Sequence, residues 1–288
     1  MALRAEDLAG RITIADGAWG TELDKLGCPP GFCREEWNVT HPELVAQVAE
    51  SYLAAGAQII LTNTFGANRF VLERHGRGDQ VAAFSRAGAE ISRRAAGDRA
   101  HVFGSIGPSG KILMLGEVDA AELEEAFRLQ AQALAEGGVD GLVVETMTEL
   151  AEAVAVVRAA KTTGLPVAAC MTYDSGKDRT STMMGVAPEQ AVKALTEAGA
   201  DIIGCNCGIG IENYIEVCRR LRAATDKPIW VKANAGLPEV ENNQIVYRMT
   251  PQEYATHARA LASAGANIIG GCCGTTPEFI RVLCGALH

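Results

Sequence analysis

Two short glycine-bounded stretches concentrate the chemistry of this chain. Gly204-Cys205-Asn206-Cys207-Gly208 and Gly270-Gly271-Cys272-Cys273-Gly274 carry four of its nine cysteines. Neighbouring residues of a regular strand point to opposite faces, so two adjacent thiols can share a ligand only where the strand gives way. Glycines around the pair let the backbone turn and bring both sulfurs to one side. Cys272 and Cys273 with Cys207 make three thiolates, a zinc set with its fourth position open, which is the catalytic rather than the structural pattern. Cys205 is close enough in sequence to compete with Cys207. Cys28, Cys33, Cys170, Cys218 and Cys284 read as buried cysteines packed as small apolar groups. A vicinal disulfide between Cys272 and Cys273 runs against a reducing compartment.

Zinc bearing three thiolates carries net negative charge and is a weaker Lewis acid than a three-histidine site. Activating water is therefore a poor use of it. Binding a substrate thiol as a fourth thiolate is a better one, because the sulfur loses its proton and stays nucleophilic. The expected reaction is attack of that sulfur on an electrophilic carbon, most simply a methyl group. A zinc sensor or store could use the same thiolates, but would not need anionic groups beside them. A lyase or hydrolase would more often place His or Lys at strand ends. Here the histidines 41, 75, 101, 257 and 288 form no close pair, and Lys232 is the one lysine so placed.

The positioning elements follow from a repeated pattern. Ala55-Gly56-Ala57, Gly137-Gly138-Val139, Ala198-Gly199-Ala200 and Ala264-Gly265-Ala266 each end a helical stretch and lead into a short apolar run. Each reads as a helix C-terminus, a glycine in the left-handed conformation and a buried parallel strand. Further strands are expected at 11–16, 101–106, 166–173 and 228–233. Four Thr-x-x-Glu signals, at Thr40, Thr146, Thr250 and Thr275, predict capped helix starts. Eight strand–helix units over residues 1–288 make the fold class α/β, a single (β/α)8 TIM barrel in one domain. A doubly wound sheet is the alternative, weakened because no G-x-G-x-x-G follows the first strand. In a barrel the chemistry gathers where the strands end. Asp16, Asn63, Ser105, Glu145, Tyr173, Cys205 to Cys207, Asn234, Cys272 and Cys273 fall there.

Composition narrows the partners. Apolar residues at 48% and charged residues at 21% exclude general disorder, and a net charge of −9 opposes sequence-independent nucleic-acid binding. No apolar run reaches the length of a bilayer span, and the N-terminus lacks the apolar core of a signal peptide. No membrane and no nucleic-acid partner is expected, and the location expected is cytoplasmic.

Asp16-Gly17-Ala18-Trp19-Gly20-Thr21-Glu22, the stretch from Thr62 to Asn68, Asn206-Cys207-Gly208 and Gly271-Cys272-Cys273-Gly274 resemble the homocysteine S-methyltransferase family. The resemblance runs from the first strand to the last. It implies a (β/α)8 barrel, one zinc ion per chain on Cys207, Cys272 and Cys273, and homocysteine as substrate. It also implies Asn234 as the oxygen ligand that fills the open zinc position before homocysteine arrives. In such a site Asp16 and Glu145 could bind the substrate ammonium, and the main-chain N–H groups of Gly17, Ala18 and Trp19 its carboxylate. The rival readings of the two carboxylates are an acid–base pair and plain structural caps.

Asn63-Thr64-Phe65-Gly66-Ala67-Asn68 is most similar to the homocysteine-binding module of cobalamin-dependent methionine synthase. No Asp-x-His-x-x-Gly cobalamin signature occurs. The resemblance therefore implies methylcobalamin, or a separate methyl-corrinoid protein, as an external donor. Betaine and S-methylmethionine are the alternatives. A cationic donor of that kind needs aromatic rings around it, and Trp19, Phe65 and Tyr173 are the candidates.

Overall fold

The computed structural model describes residues 3–241 and 244–288. Its strands are β1 (Thr13–Ile14), β2 (Ile59–Leu61), β3 (His101–Ile106), β4 (Gly141–Met147), β5 (Val167–Met171), β6 (Ile202–Cys207), β7 (Ile229–Ala233) and β8 (Ile268–Gly271). One helix follows each: α1 (Pro42–Ala54), α2 (Val81–Ala96), α3 (Ala120–Glu136), α4 (Leu150–Lys161), α5 (Pro188–Glu197), α6 (Ile211–Ala224), α7 (Pro251–Ser263) and α8 (Pro277–Leu287). Shorter helical turns sit in the loops, and a small antiparallel hairpin pairs Glu239–Glu241 with Gln244–Val246 between β7 and α7.

All pairings between the eight strands are parallel, in the order β2, β3, β4, β5, β6, β7, β8, β1. The sheet closes between β1 and β2 through a parallel bridge from Ala15 to Ile59, with Gln58 N donating to Ile14 O at 2.8 Å and Asp16 N to Ile59 O at 3.0 Å. The (β/α)8 barrel is therefore the fold. Regular pairing in β1 is shorter than the expected 11–16, with Ala15 and Asp16 bonded to β2 just beyond its end. Among the described residues no helix is long and apolar enough to cross a membrane.

The repeated glycines do what their position predicts. Gly56, Gly138, Gly199 and Gly265 take φ of 101°, 86°, 102° and 105°, and each turns a helix end back towards the next strand. The capping signals fare unevenly. Thr250 and Glu253 form a reciprocal box at the start of α7, whereas the N-cap of α4 is Glu149, of α1 His41 and of α8 Thr276, none with a side-chain cap bond. The hydroxyls of Thr146 and Thr275 are used elsewhere, on Asn206 and on the carbonyl of Cys272.

Alternation along the strands builds the floor of the site. Phe103, Val143, Cys170, Trp230 and Ile268 point into the barrel and pack with Ile59, Leu61 and Ile202 as an apolar plug. Phe103 and Trp230 meet there with ring centroids 5.2 Å apart. Two residues further on, the same inward face presents Ser105, Glu145 and Lys232. Polar groups thus begin where the plug ends. The other face packs against the helices, and Cys205, Tyr173 and Tyr214 belong to that outer layer.

Candidate functional site

Cys207, Cys272 and Cys273 come together at the C-terminal mouth, their sulfurs all within 4.8 Å of one another. Each arrives by a local break in strand geometry. Cys207 ends β6 with φ of 64°, in the left-handed region, and so leaves the outward direction that alternation would give it. Cys272 keeps one ladder bond, its N–H donating to Ala233 O at 2.7 Å, and then closes a turn through Thr275 N to its own carbonyl at 3.1 Å. Cys205 is fully buried on the outer face and does not compete with Cys207. All nine cysteines are free thiols, including the adjacent pair.

Three further features fit a cation among these sulfurs. Bonds of about 2.3 Å in a tetrahedron set thiolates about 3.8 Å apart, and the three sulfurs here lie within 4.8 Å of one another. The thiols of Cys207 and Cys272 are raised to about 11 and about 12. For Cys272 the first cause is hydrogen bonding with Cys207, and burial adds to it. A cation is what such clustered thiols need to lose their protons. Asn234, just past the end of β7 and two residues above Lys232, donates its Nδ2 to Gly208 O at 2.6 Å and to Cys207 Sγ at 3.6 Å. Its Oδ1 is buried with no partner among the described residues. An orphaned buried carbonyl oxygen is a group that a cation could satisfy.

Below the sulfurs lies a buried set of charges. Glu145 is 6% exposed. It accepts from Ser105 Oγ at 2.5 Å and from Asn206 Nδ2 at 3.3 Å. Burial pushes its carboxyl above the usual range, partly offset by Lys232 and Ser105. The bulge that shifts the register of β4 between Val144 and Met147, together with φ of 63° at Thr146, sets this carboxyl at the mouth. Asn206 ties the two halves of the site together. Its Nδ2 also reaches Thr146 Oγ1 at 2.8 Å and Cys272 Sγ at 3.9 Å, while its Oδ1 accepts from Thr146 N at 2.6 Å.

Asp16 is already engaged within the protein. Its Oδ1 pairs with Lys232 Nζ, and its Oδ2 accepts from Leu61 N and from Trp19 Nε1, each at 2.7 Å. Burial works to lower the Lys232 ammonium, but Asp16 and Glu145 outweigh it and hold it above its ordinary value. Lys232 and Asn234 are an even step apart, so both face inward at successive levels; the lysine is a buried counter-ion. Two carboxylates against one ammonium leave the pocket with excess negative charge, and Glu145 is the member without a full ionic partner. Directly after Asp16, the main-chain N–H groups of Gly17, Ala18 and Trp19 have no protein acceptor among the described residues. A Cβ on Gly17 would lie 2.8 Å from Tyr52 and Thr275, so only glycine lets this turn close.

The other rim residues divide. Asn63 donates to Arg34 O and Asn38 Oδ1 and braces the first loop rather than facing the sulfurs. Asn68 caps the short helix Arg69–Glu73. Tyr173 is fully buried behind the barrel wall and Trp19 is tied to Asp16, so Phe65 alone of the three expected aromatic rings is exposed. Sequence reasoning gave Thr146 only a helix-capping role, gave Asn206 none beyond its place on the rim, and passed over Tyr247, which lies on Gly274. For Thr146 the mistaken signal was its fit to a capping box.

Comparison with known proteins agrees with this arrangement. The family described as Homocysteine S-methyltransferase matches residues 13–287. Methionine synthases of Mycobacterium tuberculosis and Mycobacterium leprae are 34% and 33% identical over 97% and 98% of the chain. The chain spans about a quarter of the length of these relatives, 25% in each case. The homocysteine methyltransferase MmuM from Escherichia coli, in its metallated form, superposes with a TM-score of 0.81 at 26% identity over 98% of each chain. The chain belongs to the homocysteine S-methyltransferase family.

Proposed function

We propose that this protein methylates the thiol of homocysteine to give methionine, and that residues 1–288 act as one homocysteine-binding unit. The observation that carries the reading is the stacking of three convergent cysteines above a buried pocket with one uncompensated carboxylate. Zinc on Cys207, Cys272 and Cys273, with Asn234 Oδ1 as the resting fourth ligand, would supply the Lewis acidity that keeps a substrate thiol deprotonated at neutral pH. Glu145 receives the α-ammonium, and the Gly17-Ala18-Trp19 turn receives the α-carboxylate. Lys232 and the main-chain N–H of Leu61 hold Asp16, which contributes charge to the pocket more than a direct bond. The substrate is thereby gripped at its amino-acid end with its sulfur directed to the cysteines. The sulfur lone pair forms the new S–C bond as the donor–methyl bond breaks, its electron pair staying on the donor. A reducing cytoplasm would keep the cysteines free.

The donor we favour is external and large, methylcobalamin or a separate corrinoid protein. Exposed apolar side chains gather on the loops around the mouth, among them Phe65, Met114, Leu115, Met183, Val240 and Ile245. Apolar rims of this kind mark surfaces that meet another molecule. Betaine or a sulfonium donor would need a cage of aromatic rings, and Tyr173 is buried behind the wall, which leaves only Trp19 and Phe65. Homocysteine supplied in parallel with methylcobalamin, betaine or S-methylmethionine, with methionine measured, tests this. Turnover with methylcobalamin is expected. Turnover with betaine and none with methylcobalamin overturns the donor.

A further inference from the structure

Two side chains at the mouth are each followed by a non-glycine residue in the left-handed region. Glu145 precedes Thr146 at φ of 63°, and Asn206 precedes Cys207 at φ of 64°. That conformation is costly for a residue with a Cβ, above all a β-branched one, and persists only where the surroundings over-determine it. Here the surroundings converge on Asn206. Strand alternation turns it inward, level with Lys232 on the neighbouring strand, and it is fully buried. Its carbonyl is fixed from behind, accepting from Tyr214 Oη at 2.6 Å and from Thr172 Oγ1 at 3.1 Å. Its side chain and Thr146 bond reciprocally. Thr146 N donates to Asn206 Oδ1 at 2.6 Å, and Asn206 Nδ2 donates to Thr146 Oγ1 at 2.8 Å. The same Nδ2 reaches Glu145 Oε2 at 3.3 Å and stands 3.9 Å from Cys272 Sγ. One held amide thus bridges β4, which carries the carboxylate, to the segments of β6 and β8 that carry the cysteines.

An amino-acid thiol gripped by its ammonium at Glu145 and by its sulfur among the cysteines must match the span between them. Homocysteine and cysteine share every polar group and differ by one methylene, so the length of that span tells them apart. A span that flexes accepts both, whereas a rigid site can discriminate one methylene by about 10–200-fold. We propose that Asn206 is a positioning residue that, through its clamp on Thr146, fixes the span from Glu145 to the cysteines and so selects homocysteine over cysteine. The inference rests on the substrate reading above, in which Glu145 takes the ammonium and the metal on the cysteines takes the sulfur; it adds what sets the chain length accepted.

The test titrates zinc-reconstituted wild type, Asn206→Ala and Thr146→Val with L-homocysteine and with L-cysteine by calorimetry, so that no methyl donor enters the measurement. Wild type should prefer homocysteine by about tenfold or more. Asn206→Ala should narrow the preference to within about threefold, chiefly by weakening homocysteine. Thr146→Val keeps the side-chain shape, loses only the hydroxyl arm of the clamp and should fall between. An Asn206 that merely supports the fold would weaken both thiols alike and leave their ratio where it was; that result overturns the proposal, as does a wild type that binds the two thiols equally. Thr146 lies on β4, apart from the cysteine segments, so Thr146→Val decides the matter where Asn206→Ala fails to fold or to hold zinc, and an unchanged ratio there overturns the clamp. A zinc-loaded wild type that binds neither thiol overturns the substrate reading and the selection with it, whereas tight homocysteine binding with an unmoved ratio in the variants overturns the selection alone.

Discussion

Lys232 and Asp16 form an ion pair inside the barrel, with side-chain exposures of 2% and 0%. Removing one partner of such a pair strands the other charge, whereas removing both leaves a smaller defect. Lys232→Met leaves Asp16 and Glu145 buried with no cation between them, and should cost about 3–5 kcal/mol of stability. The double variant Asp16→Asn with Lys232→Met should recover part of that loss. Urea unfolding measures both. A single variant no less stable than the double would show that the pair does not hold the pocket together.

Glu145 makes a different prediction because burial, its largest influence, pushes its carboxyl up. In the folded protein it keeps its proton to higher pH than in the unfolded chain. The stability this gives is complete in acid, below the unfolded value, and is lost as pH rises through the folded value. Glu145→Gln carries no such charge. It should match wild type in acid and become the more stable protein towards neutral pH, by about 1 kcal/mol. Homocysteine binding should meanwhile weaken by about 1.5–3 kcal/mol, the scale of a hydrogen bond to a charged group. Thermal melts across pH and calorimetric titration read the two effects. A variant less stable than wild type at every pH, with unchanged homocysteine affinity, would make Glu145 a structural residue.

Thr250 offers a control far from the chemistry. Its hydroxyl and the Glu253 carboxylate cap helix α7 reciprocally. Thr250→Ala should lower stability by about 1 kcal/mol while leaving zinc content and homocysteine affinity alone. Loss of zinc in this variant would mean that α7 positions the cysteines more directly than its cap suggests.

The barrel was legible because its signal is local and repeated. An Ala-Gly or Gly-Gly step before an apolar run marks one helix-to-strand turn, and four of them set the period. Cys207, Cys272 and Cys273 were legible for a related reason, since glycines on both sides of paired thiols announce a broken strand. What stayed hidden depends on partners far away in the chain. Lys232 looks like an isolated cation until the closed barrel brings it to Asp16, 216 residues earlier. Asn206 gains its meaning from Glu145 and Cys272 together, and Tyr247 from Gly274. Thr146 misled for a physical reason: its Thr-x-x-Glu spacing fits a cap, but a bulge in β4 turns the residue to Asn206 instead. Tyr173 likewise ends its strand on the rim, yet alternation sends its ring behind the wall.

The central claim is that Cys207, Cys272 and Cys273 together form a zinc centre, and zinc content measures it most directly. Wild type and single Cys→Ala variants at 205, 207, 272 and 273 are purified under reducing conditions, dialysed against a weak chelator and assayed for zinc per chain. Wild type and Cys205→Ala, whose sulfur lies on the outer face, should each retain one ion per chain. Cys207→Ala, Cys272→Ala and Cys273→Ala should lose most of theirs. Full zinc in Cys273→Ala, or equal loss in Cys205→Ala and Cys207→Ala, would contradict the account.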